Sequence, residues 1–99
     1  QALRRVRREW HAAVAGFDAV TLPTTANLPP EVDRLFADPD LFATENLLAL
    51  RNPNLASLLG LCAITLPGGT PVCGLTLMAA PGDEPRLLRL AAAVERALA

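Results

Sequence analysis

Two apolar runs separated by a Pro-Gly-Gly-Thr-Pro turn, Leu61 to Ala79, constrain this 99-residue chain more than any other feature. The runs CAITL and CGLTLMA have the length of strands and fall short of a helix. A glycine-rich connection between two such runs makes a hairpin. The runs are nearly continuous rather than alternating, which predicts burial on both faces. The turn does not fit a phosphate loop, because neither a lysine nor a helix start follows it.

Both cysteines lie in this region, at Cys62 and Cys73. A hairpin closing over residues 67–72 sets Leu66 opposite Cys73 and Cys62 opposite Leu77. The two thiols are then about four strand residues apart, roughly 13 Å at ~3.3 Å per residue. A disulfide requires Cα atoms within about 7 Å. Both are therefore expected to be free core thiols of a cytosolic protein.

The hydrophobic fraction is 52%, above the roughly 45–50% of a soluble domain. That balance fits a segment covered on more than one side. A net charge of −1 supplies no field for nucleic acid or an anionic membrane. No apolar run approaches the ~20 residues that span a bilayer. The first turns lack the compact apolar block of a secretory signal. Gln1 is not a start methionine, so the chain is expected to be processed, tagged or cut from something longer.

In chain order, Leu3, Val6, Trp10, Ala13, Val14 and Phe17 recur at helical spacing, predicting a helix over 2–16. Gly16 is its expected left-handed stop. Arg4, Arg5, Arg7, Arg8 and Glu9 fill the other side and read as a solvated face, with Glu9 four residues from Arg5. No aromatic residues are interleaved for base stacking, so no nucleic-acid partner is expected. Residues 18–22 read as a short strand ended by Pro23. Thr24 and Thr25 follow as turn formers, since no base stands beside them to activate a hydroxyl.

Residues 26–45 are expected to be a surface loop insertion, with a short helix near 31–37 broken at Asp38-Pro39. Its acidic residues lack the glycine of a hard-cation loop, so no metal is expected. From Asn46 to Leu59 the pattern is helical, with Pro53 forcing a break and a fresh start at Asn54. Gly60 caps the segment. Arg51 and Asn52, at that break, read first as a solvent-exposed kink, and they are also the one polar pair there that could face a pocket. After the hairpin, Asp83 is the expected N-cap of an amphipathic helix running to the C-terminus. The order is α-β-loop-α-β-β-α, an α/β segment with strand 18–22 joined to strand 61–66 by a parallel crossover.

Four stretches in order carry a family resemblance: FDAVTLPTT with its Pro-rich loop, SLLGLCAITLPGG, VCGLTLMAAPGDEP, and the final RLLRLAAAVERAL. They resemble the C-terminal part of the amidase signature family over residues 3–98. Cys62 stands where that family usually has Pro, Val72-Cys73 where Pro-Val is common, and Thr76 replaces a frequent Gln. Cys62 and Thr76 are similar to the allophanate hydrolase branch.

The resemblance implies a fragment of a layered mixed sheet, residues 1–99 forming one segment of an amidase-like domain. It implies hydrolysis of carbon–nitrogen amide bonds by a serine nucleophile, a second serine and a lysine base, with no cofactor. This chain has no lysine, and Ser57 is its one serine, so none of its residues fills a catalytic role. It also implies that Arg51 and Asn52 line the substrate pocket. The expected partners are the remainder of an amidase chain, or a second copy, and a small amide in the parent enzyme. The lone His11 could act only with a partner, and no spacing brings it to Cys62 or Cys73. The competing reading is a non-catalytic interaction module that dimerises or docks through an exposed sheet.

Overall fold

A computed structural model describes residues 2–68 and 73–98. The elements are α1 (Ala2–Val14), β1 (Val20–Pro23), α2 (Val32–Ala37), α3 (Pro39–Leu59), β2 (Cys62–Pro67), β3 (Gly74–Ala79) and α4 (Glu84–Leu98). The tip of the hairpin turn, residues 69–72, lies outside the described residues.

The hairpin forms, and its returning strand sits in the middle of the sheet. Strand order is β1-β3-β2, and both neighbouring pairs are antiparallel. β1 and β2 therefore run parallel to each other with β3 between them. The expected mixed sheet is, in the described residues, a three-stranded antiparallel one. Cys62 faces Ala79 and Leu66 faces Leu75, two residues from the predicted register. A shift of two keeps every side chain on its face. Pro67 extends β2 as its last residue, and the Gly68 N–H donates to the Cys73 carbonyl at 2.9 Å. Proline is tolerated there because β2 is an edge strand.

Burial differs between the two strands of the hairpin. Every β3 residue is at least half-buried, whereas β2 alternates and exposes Ala63, Thr65 and Pro67. Two-sided burial thus belongs to the central strand, not to the hairpin as a whole. On one face Leu66, Leu77 and Ala79 pack against Leu87 and Ala91 of α4. The spacing of Leu87, Ala91 and Val94 on α4 supplies that contact at helical period. On the opposite face Met78 is 1% exposed, and Thr24, Thr65 and Thr76 look toward α3 across a cavity of about 320 Å3.

Within the expected loop insertion over 26–45, residues 26–31 are irregular, the short helix near 31–37 forms as expected, and the chain turns helical again after Asp38. α2 covers 32–37, and α3 begins at Pro39, so residues 39–45 are its first turns. Asp38 is a cap rather than a break: its carboxylate accepts from the Asp40 and Leu41 N–H groups at 3.1 and 3.2 Å. Pro39 suits the first helical position, where its missing donor costs nothing. α3 also continues through Pro53 without a fresh start. Two tethers bracket the proline. Asn52 Nδ2 donates to the Pro23 carbonyl at 2.7 Å, and Arg7 Nε donates to the Leu58 carbonyl at 2.9 Å. These bonds offset the single backbone bond that proline removes.

Gly60 ends α3 in the left-handed region, at φ 68. Its N–H donates to Ser57 and the Leu61 N–H to Ala56, satisfying the last carbonyls. A Cβ at Gly60 would meet nothing closer than Arg7 Cζ at 3.8 Å, so substitution has only a conformational cost. Gly60→Ala is expected to cost about 1 kcal/mol, read as a lowered urea midpoint with an unchanged slope. At Gly16 no such role exists: α1 stops at Val14, the Phe17 N–H bonds the Val14 carbonyl, and the positive-φ glycines among the described residues are Gly60 and Gly82. In front of α4 the Asp83 carbonyl accepts from Leu87 N–H, while the Glu84 carboxylate accepts from Gly82 N–H.

The molecule is a slab of 46 × 42 × 17 Å with a radius of gyration of 15.8 Å. A compact chain of this length has a radius near 13 Å. Its 7000 Å2 of accessible surface exceeds the roughly 5,400 Å2 expected for its mass. The excess is apolar in large part, with Phe17, Leu28, Phe36 and Leu47 all more than two-thirds exposed. No helix among the described residues is long and apolar enough to cross a membrane.

Candidate functional site

Three segments meet around a cavity of about 500 Å3: the end of β1 with its following loop, the middle of α3, and the start of β3. Leu22 to Leu28 make one wall, Arg51 and Asn52 another, and Cys73 with Gly74 close the third side. The uninterrupted α3 explains how Arg51 and Asn52 come to share this space. They are adjacent on one regular helix that crosses the end of β1. Asn52 is half-buried and spends its amide N–H on the Pro23 carbonyl, which fixes the loop against the helix. Arg51 is exposed and is the one charged side chain of the lining.

The 23–28 loop is held by its own polar groups. Thr25 Oγ1 donates to the Asn27 carbonyl at 3.1 Å. Asn27 Nδ2 in turn donates to the Glu45 carbonyl at 3.3 Å and to the Glu45 carboxylate. Beyond Asn27 lies a second, mostly apolar cavity of about 290 Å3, with Pro30, Leu35 and Phe42 among its lining residues. Glu45 belongs to that second space, so its charge is engaged away from Arg51.

Sequence reasoning missed a ladder of hydroxyls across all three strands. Thr24 Oγ1 and Thr76 Oγ1 are 2.7 Å apart, and Thr65 Oγ1 lies 3.2 Å from Thr76. The available signal was the same-face alternation of Thr65 and Thr76 on paired strands. Thr24, expected as a turn former, donates its backbone N–H to the Gly74 carbonyl at 3.0 Å and so extends the β1–β3 pairing. Its hydroxyl meets hydroxyls and no base. The ladder is structural, not nucleophilic.

The cysteines do not both enter the core. Cys62 is half-buried, and its thiol donates to the Ala79 and Ala80 carbonyls at 3.4 and 3.3 Å. Cys73 is exposed, because the register shift places it at the turn rather than within the strand. Both are free. His11 is half-buried and faces a separate cavity of about 200 Å3 with Trp10, Asp18, Asp83 and Arg86. It is thus on the inner side of α1 and not on a purely solvated arginine flank. Neither cysteine lines that cavity. Arg5 pairs with Glu9 at 3.1 Å as the spacing predicted, and Arg86 pairs with Asp18 at 2.9 Å. Among the described residues, no three of His, Cys, Asp and Glu gather as metal ligands.

No family model matches the chain, and no solved structure matches it. Two curated relatives do. A 2-amino-5-chloromuconic acid deaminase of Comamonas testosteroni is 36% identical over 86 residues, covering 80% of this chain and 18% of that protein. A glutamyl-tRNA(Gln) amidotransferase subunit from Anaeromyxobacter sp. (strain K) is 33% identical over 96 residues, covering 94% and 19%. The chain spans about a fifth of the length of the curated relatives it matches.

Proposed function

Since the chain belongs to the amidase signature family, we propose that it is the C-terminal segment of an amidase and walls its substrate pocket. The observation that carries this reading is the placement of Arg51 and Asn52 across a cavity from the 23–28 loop, in a chain with no lysine and one serine. The segment binds and orients. The serine nucleophile, second serine and lysine base come from chain outside it. A serine hydroxyl attacks a carbonyl carbon only when a neighbouring base takes its proton, and Ser57 has no lysine to do so. The relatives are named for a deaminase and for part of an amidotransferase, and both names describe chemistry at a carbon–nitrogen bond. Hydrolysis or transfer at an amide bond is the corresponding reaction here.

The excess of exposed apolar surface supports a covering by further chain. The competing module would instead self-associate through an open sheet edge. Ammonia release from simple amides separates the two. The full-length parent chain is expected to release it, and the 99-residue segment alone is expected to stay at background. Activity in the isolated segment, or a start codon directly before Gln1, would overturn the proposal. A concentration-dependent dimer of the segment with no active parent would favour the module.

A further inference from the structure

Resting on the amidase reading, we infer that the outer edge of β2 is where the sheet continues, by pairing with a strand from the remainder of the parent chain. Along an antiparallel pair, facing residues exchange both backbone bonds or neither, in alternation. The Gly68 N–H donates to the Cys73 carbonyl, so Leu66, Ile64 and Cys62 aim their backbone groups at β3. Ala63, Thr65 and Pro67 aim theirs outward. Pro67 has no N–H to offer. The donors of this edge are therefore Ala63 and Thr65, and among the described residues neither N–H has a partner. At the other end the run is closed by Leu61, whose N–H is spent on the Ala56 carbonyl of α3.

Nothing guards this edge. Sheets that end in water protect an edge strand with charge, a mid-strand proline, a bulge or extreme shortness. CAITLP carries no charge, pairs with β3 residue for residue, and keeps its proline for the last position. The β1 edge differs. The Thr24 N–H bonds the Gly74 carbonyl, so by the same alternation Pro23 aims its carbonyl outward, where Asn52 of α3 already holds it at 2.7 Å. A strand added there would have to displace that bond. The chain spans about a fifth of the length of its curated relatives, which leaves ample chain in such a protein to supply a strand at β2. Cys62 and Ile64 pack toward the α4 cluster, so the incoming strand brings apolar side chains to that face. On the other face Ala63 and Thr65 are small and exposed, and they leave room for larger neighbours.

The test is hydrogen–deuterium exchange, read residue by residue, on the full-length parent chain. The Ala63 and Thr65 amides are expected to be slowed about 100-fold or more, alongside those of Cys62, Ile64 and Leu66. Ala63→Pro removes one donor and no side-chain bond, and it is expected to speed exchange at Thr65 about 10-fold or more. Ala63→Ser keeps the N–H and leaves Thr65 as it is. An Ala63→Pro chain that fails to fold, beside an Ala63→Ser chain that folds, also supports the pairing, because an unpaired edge accepts proline. Exchange of Ala63 and Thr65 at the rate of open amides, with their neighbours protected, overturns the inference. So does protection of Thr65 that Ala63→Pro leaves unchanged, which is burial without pairing. Protection lost on dilution to the monomer overturns it too, since it assigns the edge to a second copy. Ammonia release is measured on the same preparation. A parent that releases none but protects Ala63 and Thr65 loses the amidase reading and keeps the sheet.

Discussion

Leu77→Ala is expected to leave the isolated chain largely unfolded. Leu77 is 1% exposed and lies on the central strand, where it faces Thr21 on one side and Ile64 on the other. It joins Leu66, Ala79, Leu87 and Ala91 in the cluster between the sheet and α4. Removing a buried leucine side chain costs about 2–5 kcal/mol, from lost transfer free energy and the cavity left behind. At about 0.05 kcal/mol per residue, the low end for folded domains, a 99-residue chain this open has a total stability on the order of 5 kcal/mol. The substitution therefore consumes most of the stability the segment has. The control is Leu58→Ala, at a position 58% exposed, expected to stay within about 0.5 kcal/mol of wild type. Urea titration followed by far-UV circular dichroism reads both. Equal midpoints for the two variants would mean that the sheet–α4 contact does not hold the molecule together.

The same contrast explains what could be read from the residues and what could not. Local signals with one strong cause were legible: the apolar runs of the hairpin, the stripe of α4, and Gly60 as a left-handed cap. The continuity of α3 was not. Proline at position 53 disfavours a helix locally, and the bonds that hold it, from Asn52 to Pro23 and from Arg7 to Leu58, join residues 29 and 51 positions apart. No window of sequence contains both partners. Asp38-Pro39 misled for the opposite reason, since the same dipeptide that breaks a helix also starts one when aspartate caps it. The register was missed by two because either pairing keeps the same faces, and the closing bond at Gly68 decides between them. Arg51 and Asn52 were legible as a polar pair beside Pro53, and the resemblance implied a pocket for them. Their neighbours Thr25, Asn27 and Cys73 come from distant segments and become visible only in the folded cavity.

Gly74→Ala is the second large effect, and it follows from the hydroxyl ladder. A Cβ on Gly74 would lie 2.8 Å from Thr24 Oγ1, 3.2 Å from Thr24 Cβ and 3.3 Å from Thr65 Cγ2. Thr24 cannot simply rotate away. Its hydroxyl is bonded to Thr76 at 2.7 Å, and its N–H holds the Gly74 carbonyl at 3.0 Å. Relief of the clash therefore loosens the β1–β3 pairing. Overpacking of this kind costs about 1–3 kcal/mol. A double-mutant cycle isolates the cause. Thr24→Ala alone forfeits one part-buried hydrogen bond, about 1 kcal/mol. In that background the closest clashing atom is gone, and Gly74→Ala is expected to cost less than it does in the wild type. The two changes should couple by about 0.5 kcal/mol or more. Additive costs would place the strain on Thr65 or on the backbone instead. Gly74 also closes the third wall of the Arg51 cavity.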